Sequence, residues 1–433
     1  MMNGSNLQSK KKKWEMSDKE RVQDLQRKLY LKAKQEKDLR FWVLYDKVRI
    51  PYMLREAYAR VKENNGAPGV DGKTIEDIEK EGVEGLIAEI IKELETKTYK
   101  PMPVKRVMIP KANGKLRPLG IPTIKDRIIQ MACKLVIEPI FEADFQDESY
   151  GFRPKRSAKD AVIRIKENLK EGKTQVYDAD LSSYFDTIPH DKLMTLIARR
   201  ISDKNILHLI KMWLKAPINE EGKISGGKKN KKGTPQGGVI SPLLANIYLN
   251  ELDKIVEKGK SMFKRMGVTI VRYADDFVLM GRGISREVIA YLKRILESME
   301  LKINLEKTRL VDSRGISFDF LGFTFRYDKD LYGRNKRYWN VKPSKKSEKQ
   351  IRKNINEYLK ESLHLSQEKL IKGLNSITRG WINYITIRGT SYPAAARRNL
   401  RWYLSNKLYR YANRKSQRKS KVYRANLFAL AYY

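Results

Sequence analysis

A chain of 433 residues with 90 Lys and Arg against 51 Asp and Glu carries a formal net charge of +39, an excess that disfavours compaction unless a polyanion supplies counter-charge. The single Cys133 excludes an internal disulfide, and with only His190, His208 and His364 beside it the chain excludes zinc fingers and His-rich nuclease modules. No run of about 18 apolar residues predicts a membrane span, and Met1 to Lys13 lacks the apolar core of a signal peptide, so a cytosolic protein is expected.

In chain order, Lys10 to Lys13 form a basic arm. Ser17-Asp18-Lys19-Glu20 has the capping-box pattern, with Val22, Leu25, Leu29 and Ala33 at helical spacing after it. That helix is predicted to break near Ile50-Pro51. Asn64 to Gly72 holds three glycines and a proline, an ordered loop, and a helical stretch runs on to about Thr96. Val104 to Pro110 and Lys115 to Pro122 are strand candidates around Asn113-Gly114, a hairpin carrying Lys111, Lys115 and Arg117. Helical periodicity returns over Asp126 to Phe145, where Cys133 is a small buried hydrophobe, and over Ala158 to Glu171 beyond the tight turn Tyr150-Gly151-Phe152-Arg153-Pro154.

Thr174 to Leu181 is predicted as a strand whose alternation sends Asp178 and Asp180 to one side. Helices are predicted over His190 to Ile201, Ile206 to Lys215 and Val239 to Ile255, with a Gly/Lys-rich loop from Gly222 to Lys232 and then Gly233-Thr234-Pro235-Gln236-Gly237-Gly238. Val268 to Arg272 and Phe277 to Met280 flank Tyr273-Ala274-Asp275-Asp276, a hairpin with two acids at its tip. A turn there favours Asn-Gly or Asp-Gly, so paired Asp without Gly points to a need for charge, although Asp is also a common turn residue. Ile284 to Glu300 is predicted helical, Ile303 to Lys307 and Phe318 to Phe325 as strands. From Lys369 to Tyr433 there is no acid, and 15 Lys or Arg interleave with Trp381, Tyr384, Trp402, Tyr409 and Tyr423 in a helical pattern suited to phosphate contact and base stacking.

If the acidic strand and the acidic hairpin are sheet neighbours, their carboxylates need a cation, and oxygen-only ligands select a hard ion such as Mg²⁺. Two such ions about 4 Å apart activate an attacking hydroxyl and stabilise a leaving pyrophosphate, the needs of nucleotide polymerisation.

The sequence resembles bacterial group II intron reverse transcriptase/maturases over roughly residues 50 to 430. Tyr273-Ala274-Asp275-Asp276 is similar to their Tyr-X-Asp-Asp box, and Asp178 to Asp186 to the motif bearing the third acid. The resemblance implies Asp180, Asp275 and Asp276 as catalytic and metal-binding residues for two Mg²⁺ ions, with Asp178 supporting them. It implies Lys111, Arg117, Phe185 and Gln236 around the nucleotide, Phe185 excluding ribonucleotides by bulk, and Phe320-Leu321-Gly322-Phe323 as a primer-gripping strand pair. The loop at Asn65 to Gly72 resembles a motif of non-retroviral members. Leu374 to Tyr384 resembles the maturase signature, implying RNA contact by Arg379, Trp381, Asn383 and Tyr384.

The implied architecture is α+β: a right-hand polymerase, with fingers and an antiparallel palm sheet, plus an α-helical thumb/maturase domain. Boundaries are expected at residues 1–50 (basic arm and helix), 51–170 (fingers), 171–330 (palm) and 331–433 (thumb/maturase), with no HNH-type endonuclease. The implied partners are group II intron RNA, an RNA template with DNA primer, dNTPs and a DNA target, in a bacterial cytoplasm and without a membrane. The oligomeric state is left open. Two rival readings share many of these features: a domesticated reverse transcriptase in phage defence or beside a CRISPR system, and an RNA-binding splicing factor without polymerase activity.

Overall fold

The structure, a computed structural model, describes residues 16–110, 116–330 and 333–415. Four helices of more than one turn open it, α1 (Asp18–Gln35), α2 (Pro51–Glu63), α3 (Ile75–Glu81) and α4 (Val83–Glu95), with a single helical turn at Tyr45–Val48 between the first two. Ser17 caps α1, its hydroxyl accepting from the Glu20 amide at 3.3 Å while Glu20 accepts from the Ser17 amide at 2.8 Å. Contrary to expectation, α1 does not continue to Ile50. Arg200 donates to the Ala33 carbonyl at 2.8 Å and the Glu36 carbonyl at 3.2 Å, which ends the helix at Gln35 by satisfying its last acceptors. Pro51 then opens α2, in the first turn where a missing N–H leaves no bond unmade.

Strands β1 (Val104–Pro110) and β2 (Leu116–Ile121) pair antiparallel from Lys105↔Ile121 to Pro110↔Leu116. The turn between them, with Lys111 and Lys115, lies outside the described residues. Helices α5 (Ile124–Glu142) and α6 (Ala158–Lys170) lead to β3 (Gln175–Ala179), α7 (His190–Ala198) and α8 (Lys204–Leu214). The stretch predicted as a Gly/Lys-rich loop contains β5 (Lys223–Gly226), which pairs with β4 (Pro217–Glu220). All four residues of β5 are exposed, so no apolar alternation announces it. Because β4 runs parallel to β1, one sheet of order β2-β1-β4-β5 results.

Helix α9 (Ser241–Glu257) precedes the hairpin of β6 (Thr269–Tyr273) and β7 (Asp276–Gly281), followed by α10 (Arg286–Ser298). The strand expected over Ile303 to Lys307 is absent. Ile303 makes one isolated bridge to Leu181, residues 305–307 form a turn, and the strand β8 is Arg309–Asp312. Local bonding explains the shift: the Asn304 amide donates to the Asp180 carbonyl at 2.8 Å, so this segment braces a neighbouring loop instead of extending the ladder. The strand expected over Phe318 to Phe325 is two, β9 (Phe318–Phe320) and β10 (Phe323–Lys329), reversing at Leu321 and Gly322 with φ of 48° and 78°. With β11 (Arg337–Pro343) they form the sheet β11-β10-β9. Helices α11 (Lys345–Glu361), α12 (Gln367–Ile385) and α13 (Ala394–Lys415) end the described chain.

The central antiparallel sheet, order β6-β7-β3-β8, is buried on both faces. Tyr177, Ala179, Ile270, Phe277 and Leu279 face the main core with α1, α5 and α9. On the opposite face, Val176, Val271, Val278 and Met280 pack with α6 and with Phe318, Phe325 and Trp339 of the aromatic sheet. A third cluster joins the C-terminal helices through Ile351 and Ile355, Leu370 and Leu374, and Leu400, Leu404 and Leu408. The i, i+4 leucines of α13 thus supply its buried stripe.

Candidate active site

Register decides where the acids meet. In the antiparallel pair β3–β7, Asp178 lies opposite Val278 and Ala179 opposite Phe277, so the next step along the ladder brings Asp180 level with Asp276. The β6–β7 hairpin closes at Tyr273↔Asp276, leaving Ala274 and Asp275 as its two-residue turn. Alternation then sets Asp178, Asp180 and Asp276 on the side shared with α6 and the aromatic sheet. The two acidic stretches, nearly 100 residues apart in the chain, meet at one end of one sheet.

The turn is conformationally unusual. Ala274 has φ of +58°, in the left-handed region that favours glycine. Gly151 lies against it so closely that a Cβ there would fall 2.3 Å from the Ala274 nitrogen. The turn at Tyr150 is therefore more than a connection: the Tyr150 amide donates to the Arg272 carbonyl, the Arg272 amide donates to the Glu148 carbonyl, both at 2.9 Å, and Gly151 leaves room for the hairpin tip.

Charge is concentrated at this point. Asp276 is exposed at the hairpin end, yet crowding of its carboxyl by protein atoms, followed by the charges of Asp275, Asp180 and Asp178, pushes its pKa up to about 6. Burial also raises Asp275, with Asp180 adding to the rise and Arg117 opposing it. Asp178 is pushed up to about 6, chiefly by burial, although Arg309 stands 3.6 Å away and opposes the shift. Asp180 has a closer cation: Lys307 Nζ donates to its Oδ2 at 3.0 Å. The Asp180 amide donates to Thr308 Oγ1 at 3.3 Å, so one short segment holds both backbone and side chain of this acid. Among the described residues no three His, Cys, Asp or Glu side chains are already gathered as a metal cage.

Phe185, Gln236 and Arg117, three of the other residues read from the sequence, fall within the described residues. Phe185 sits in a single-turn helix at Tyr184–Thr187, edge-on to the buried Tyr184 ring at 5.5 Å, and the Tyr184 hydroxyl donates to the Ala245 carbonyl at 2.6 Å. Gln236 Nε2 lies 3.4 Å from Asp186 Oδ2, while its own carbonyl accepts from the Gly120 amide at 2.5 Å. Gly237, at φ of +111°, would drive a Cβ to 2.3 Å from the Gly120 carbonyl oxygen. The β1–β2 hairpin is thereby fastened to the Gln236 loop. Arg117 of that hairpin is exposed and close enough to act on Asp275. Lys111 lies outside the described residues.

The four residues assigned to RNA diverge. Arg379 and Asn383 are exposed on α12. Trp381 and Tyr384 face the protein: the indole donates to Ser347 Oγ at 2.9 Å, and the Tyr384 hydroxyl donates to the Leu321 carbonyl at 2.7 Å, joining α12 to the β9–β10 reversal. Lys166 of α6 adds a second tie, donating to the Thr390 carbonyl at 2.8 Å. Sequence reading gave no role to Gly151, Arg272 or Asp253. An arginine directly after the β-branched run Val268 to Val271, within a strand bound for the core, is the one signal that marks them.

Comparison with known proteins bears on this arrangement. A family model described as reverse transcriptase (RNA-dependent DNA polymerase) matches residues 109–325, and one described as group II intron, maturase-specific domain matches 348–427. Protein YkfC of Escherichia coli is 38% identical over 352 residues, 72% of this chain and 90% of that protein. The group II intron-encoded protein LtrA of Lactococcus lactis is 42% identical over 221 residues, 49% of this chain but only 36% of LtrA. A chain of a solved partial Cas6-RT-Cas1–Cas2 complex matches over 61% of this chain and 43% of its own at 23% identity, with a TM-score of 0.36. Among the described residues no helix is long and apolar enough to cross a membrane.

Proposed function

The chain belongs to the reverse transcriptases, RNA-dependent DNA polymerases, of the group II intron maturase type, and from that membership we propose that the acids at the ends of β3 and β7 are its polymerising centre. One observation carries the reading: the β3–β7 register that sets Asp180 level with Asp276 and beside Asp275. The substrates are an RNA template, a DNA primer and dNTPs.

Reverse transcriptases are metal-dependent, and the donor set here suits a hard cation, since every ligand offered is a carboxylate oxygen. Asp180 raises both Asp275 and Asp276, a mutual repulsion that a divalent ion relieves. Asp180, Asp275 and Asp276 would hold two Mg²⁺. When bound, the metal stabilises the attacking 3′-oxygen and the leaving pyrophosphate. The protein's own residues do the rest. Lys307 neutralises Asp180 until the acid is needed and must then move aside. Arg117, together with Lys111, neutralises the triphosphate. Phe185, braced by Tyr184, closes the space a ribose 2′-hydroxyl requires, and Gln236 lines the nucleotide pocket.

We assign binding of group II intron RNA to the C-terminal unit, through Arg379, Asn383 and the cations of α13, on a platform supported by Trp381 and Tyr384. Splicing is then RNA chemistry that the protein assists by stabilising the folded intron, and mobility would bring a DNA target. Asp275→Ala tests both halves. DNA synthesis on an RNA template should vanish while RNA that copurifies with the variant, identified by sequencing, is still intron RNA. Full synthesis by Asp275→Ala would remove the metal-site assignment. Copurification of RNA unrelated to introns would remove the maturase assignment.

A further inference from the structure

Beneath the acidic turn lies a charged pair that the polymerisation chemistry does not use. The side chains of Arg272 and Asp253 are each 1% exposed, in a two-fold contact: Nε donates to Oδ1 at 2.9 Å and Nη2 donates to Oδ2 at 2.5 Å. Removing two charges from water is unfavourable, and stability alone is a weak reason to keep such a pair where apolar residues of similar volume would pack. What distinguishes this one is the third arm of the guanidinium. Arg272 Nη1 donates to the Ala274 carbonyl at 2.8 Å and to Asn246 Oδ1 at 3.0 Å.

The Ala274 carbonyl shares a planar peptide unit with the Asp275 amide, so fixing one fixes the other. Ala274 is also the residue at φ of +58°, a conformation an alanine leaves unless its surroundings over-determine it. Asn246 completes the clamp from the opposite side, its Nδ2 donating at 2.8 Å to the carbonyl of Gly151, the residue that abuts the Ala274 nitrogen. Asn246 and Asp253 are seven residues apart on α9, two turns along one face, which is how a single helix presents both to β6. Lysine could keep the charge of Arg272 but not its planar fork, which meets Asp253, Asn246 and Ala274 together.

We propose that Arg272, oriented by Asp253 and Asn246, is a positioning residue that holds the Ala274–Asp275 peptide in its left-handed turn and so sets the carboxylates of Asp275 and Asp276 for metal binding. The inference rests on the polymerase reading of those acids and concerns the turn's geometry rather than the chemistry. Because the guanidinium is already neutralised by Asp253, its function is directional.

The test is rescue. Arg272→Lys should fold, lower primer extension by about 10- to 100-fold and raise the Mg²⁺ concentration that gives half-maximal rate, as loss of groups that orient metal ligands does. Adding Ala274→Gly to that variant should recover part of the rate and lower the Mg²⁺ requirement again, because glycine adopts positive φ without a holding contact. A purely stabilising Arg272 would show losses that follow the fall in Tm and no recovery from glycine at 274. Should Arg272→Lys fail to fold, Asn246→Ser leaves the Arg272–Asp253 pair intact while freeing one side of the clamp, and the same recovery by Ala274→Gly is expected. Absence of recovery in the folded variant overturns the inference. If the wild-type protein itself extends no primer, it is the polymerase reading that fails.

Discussion

Asp276 carries the clearest electrostatic signature of the site, and its sign can be followed through. Its pKa in the folded protein is about 6, above the ordinary carboxylate value of 3.8. A raised pKa favours folding fully below the unfolded value and loses that contribution as pH rises through the folded one, so in metal-free protein Asp276 opposes folding at neutral pH. In the presence of a chelator, Asp276→Asn should therefore raise Tm at pH 7.5 and leave it nearly unchanged at pH 4, as thermal melts at the two pH values would register. Equal shifts at both would mean the carboxylate is not held in a charge-repelling site. The acidic hairpin and the strand at Thr174 to Leu181 were legible in the sequence from their flanking apolar runs and alternation, but two Asp in a turn did not by themselves mark a site, and only Asp180, the Gln236 loop and the cationic hairpin read together suggested one. The turn's support was not legible. Arg272 of β6, Asp253 and Asn246 of α9, and Gly151 of the preceding turn come from three separate elements, and their relation exists only once α9 packs on β6.

At the scale of elements, long amphipathic helices and β-branched strands were readable, while places where a side chain overrides the local pattern were not. α1 stops at Gln35 because of Arg200, far away in sequence, and the segment at Ile303 becomes a brace for Asp180 instead of a strand. β5 is fully exposed and so leaves no period-two trace. The C-terminal helices show the converse. Their basic residues were conspicuous, but what holds them together is the apolar stripe Leu400, Leu404 and Leu408 against Ile355 and Leu370. Leu404 is 1% exposed. Leu404→Ala should cost about 2–5 kcal/mol within this unit. Hydrogen exchange should report faster opening of α11 to α13 with the central sheet still protected, and uniform loss of protection across both would show that the helices do not open separately.

Across the whole molecule, the charge of +39 and the acid-free C-terminal region describe a surface made for a polyanion. RNA affinity should fall with salt on a log–log plot, with each phosphate contact contributing about 0.7 to 0.9 to the slope. Replacing the exposed Arg398 and Arg410 with Ala should flatten that slope by about 1.4 to 1.8 if each neutralises one phosphate. An unchanged slope would place the RNA elsewhere. The same molecule brings together two acids 96 residues apart and fastens a cationic hairpin to the Gln236 loop, and we propose that this junction makes DNA from RNA. Asp178 and Asp180 lie two residues apart on the same side of the sheet, but only Asp180 stands level with Asp276. The most direct measurement is dNTP incorporation from a DNA primer on an RNA template with Mg²⁺, comparing wild type, Asp178→Asn and Asp180→Asn. Extension by the wild type, substantial extension by Asp178→Asn and none by a folded Asp180→Asn is the predicted result; extension by Asp180→Asn equal to wild type would contradict it.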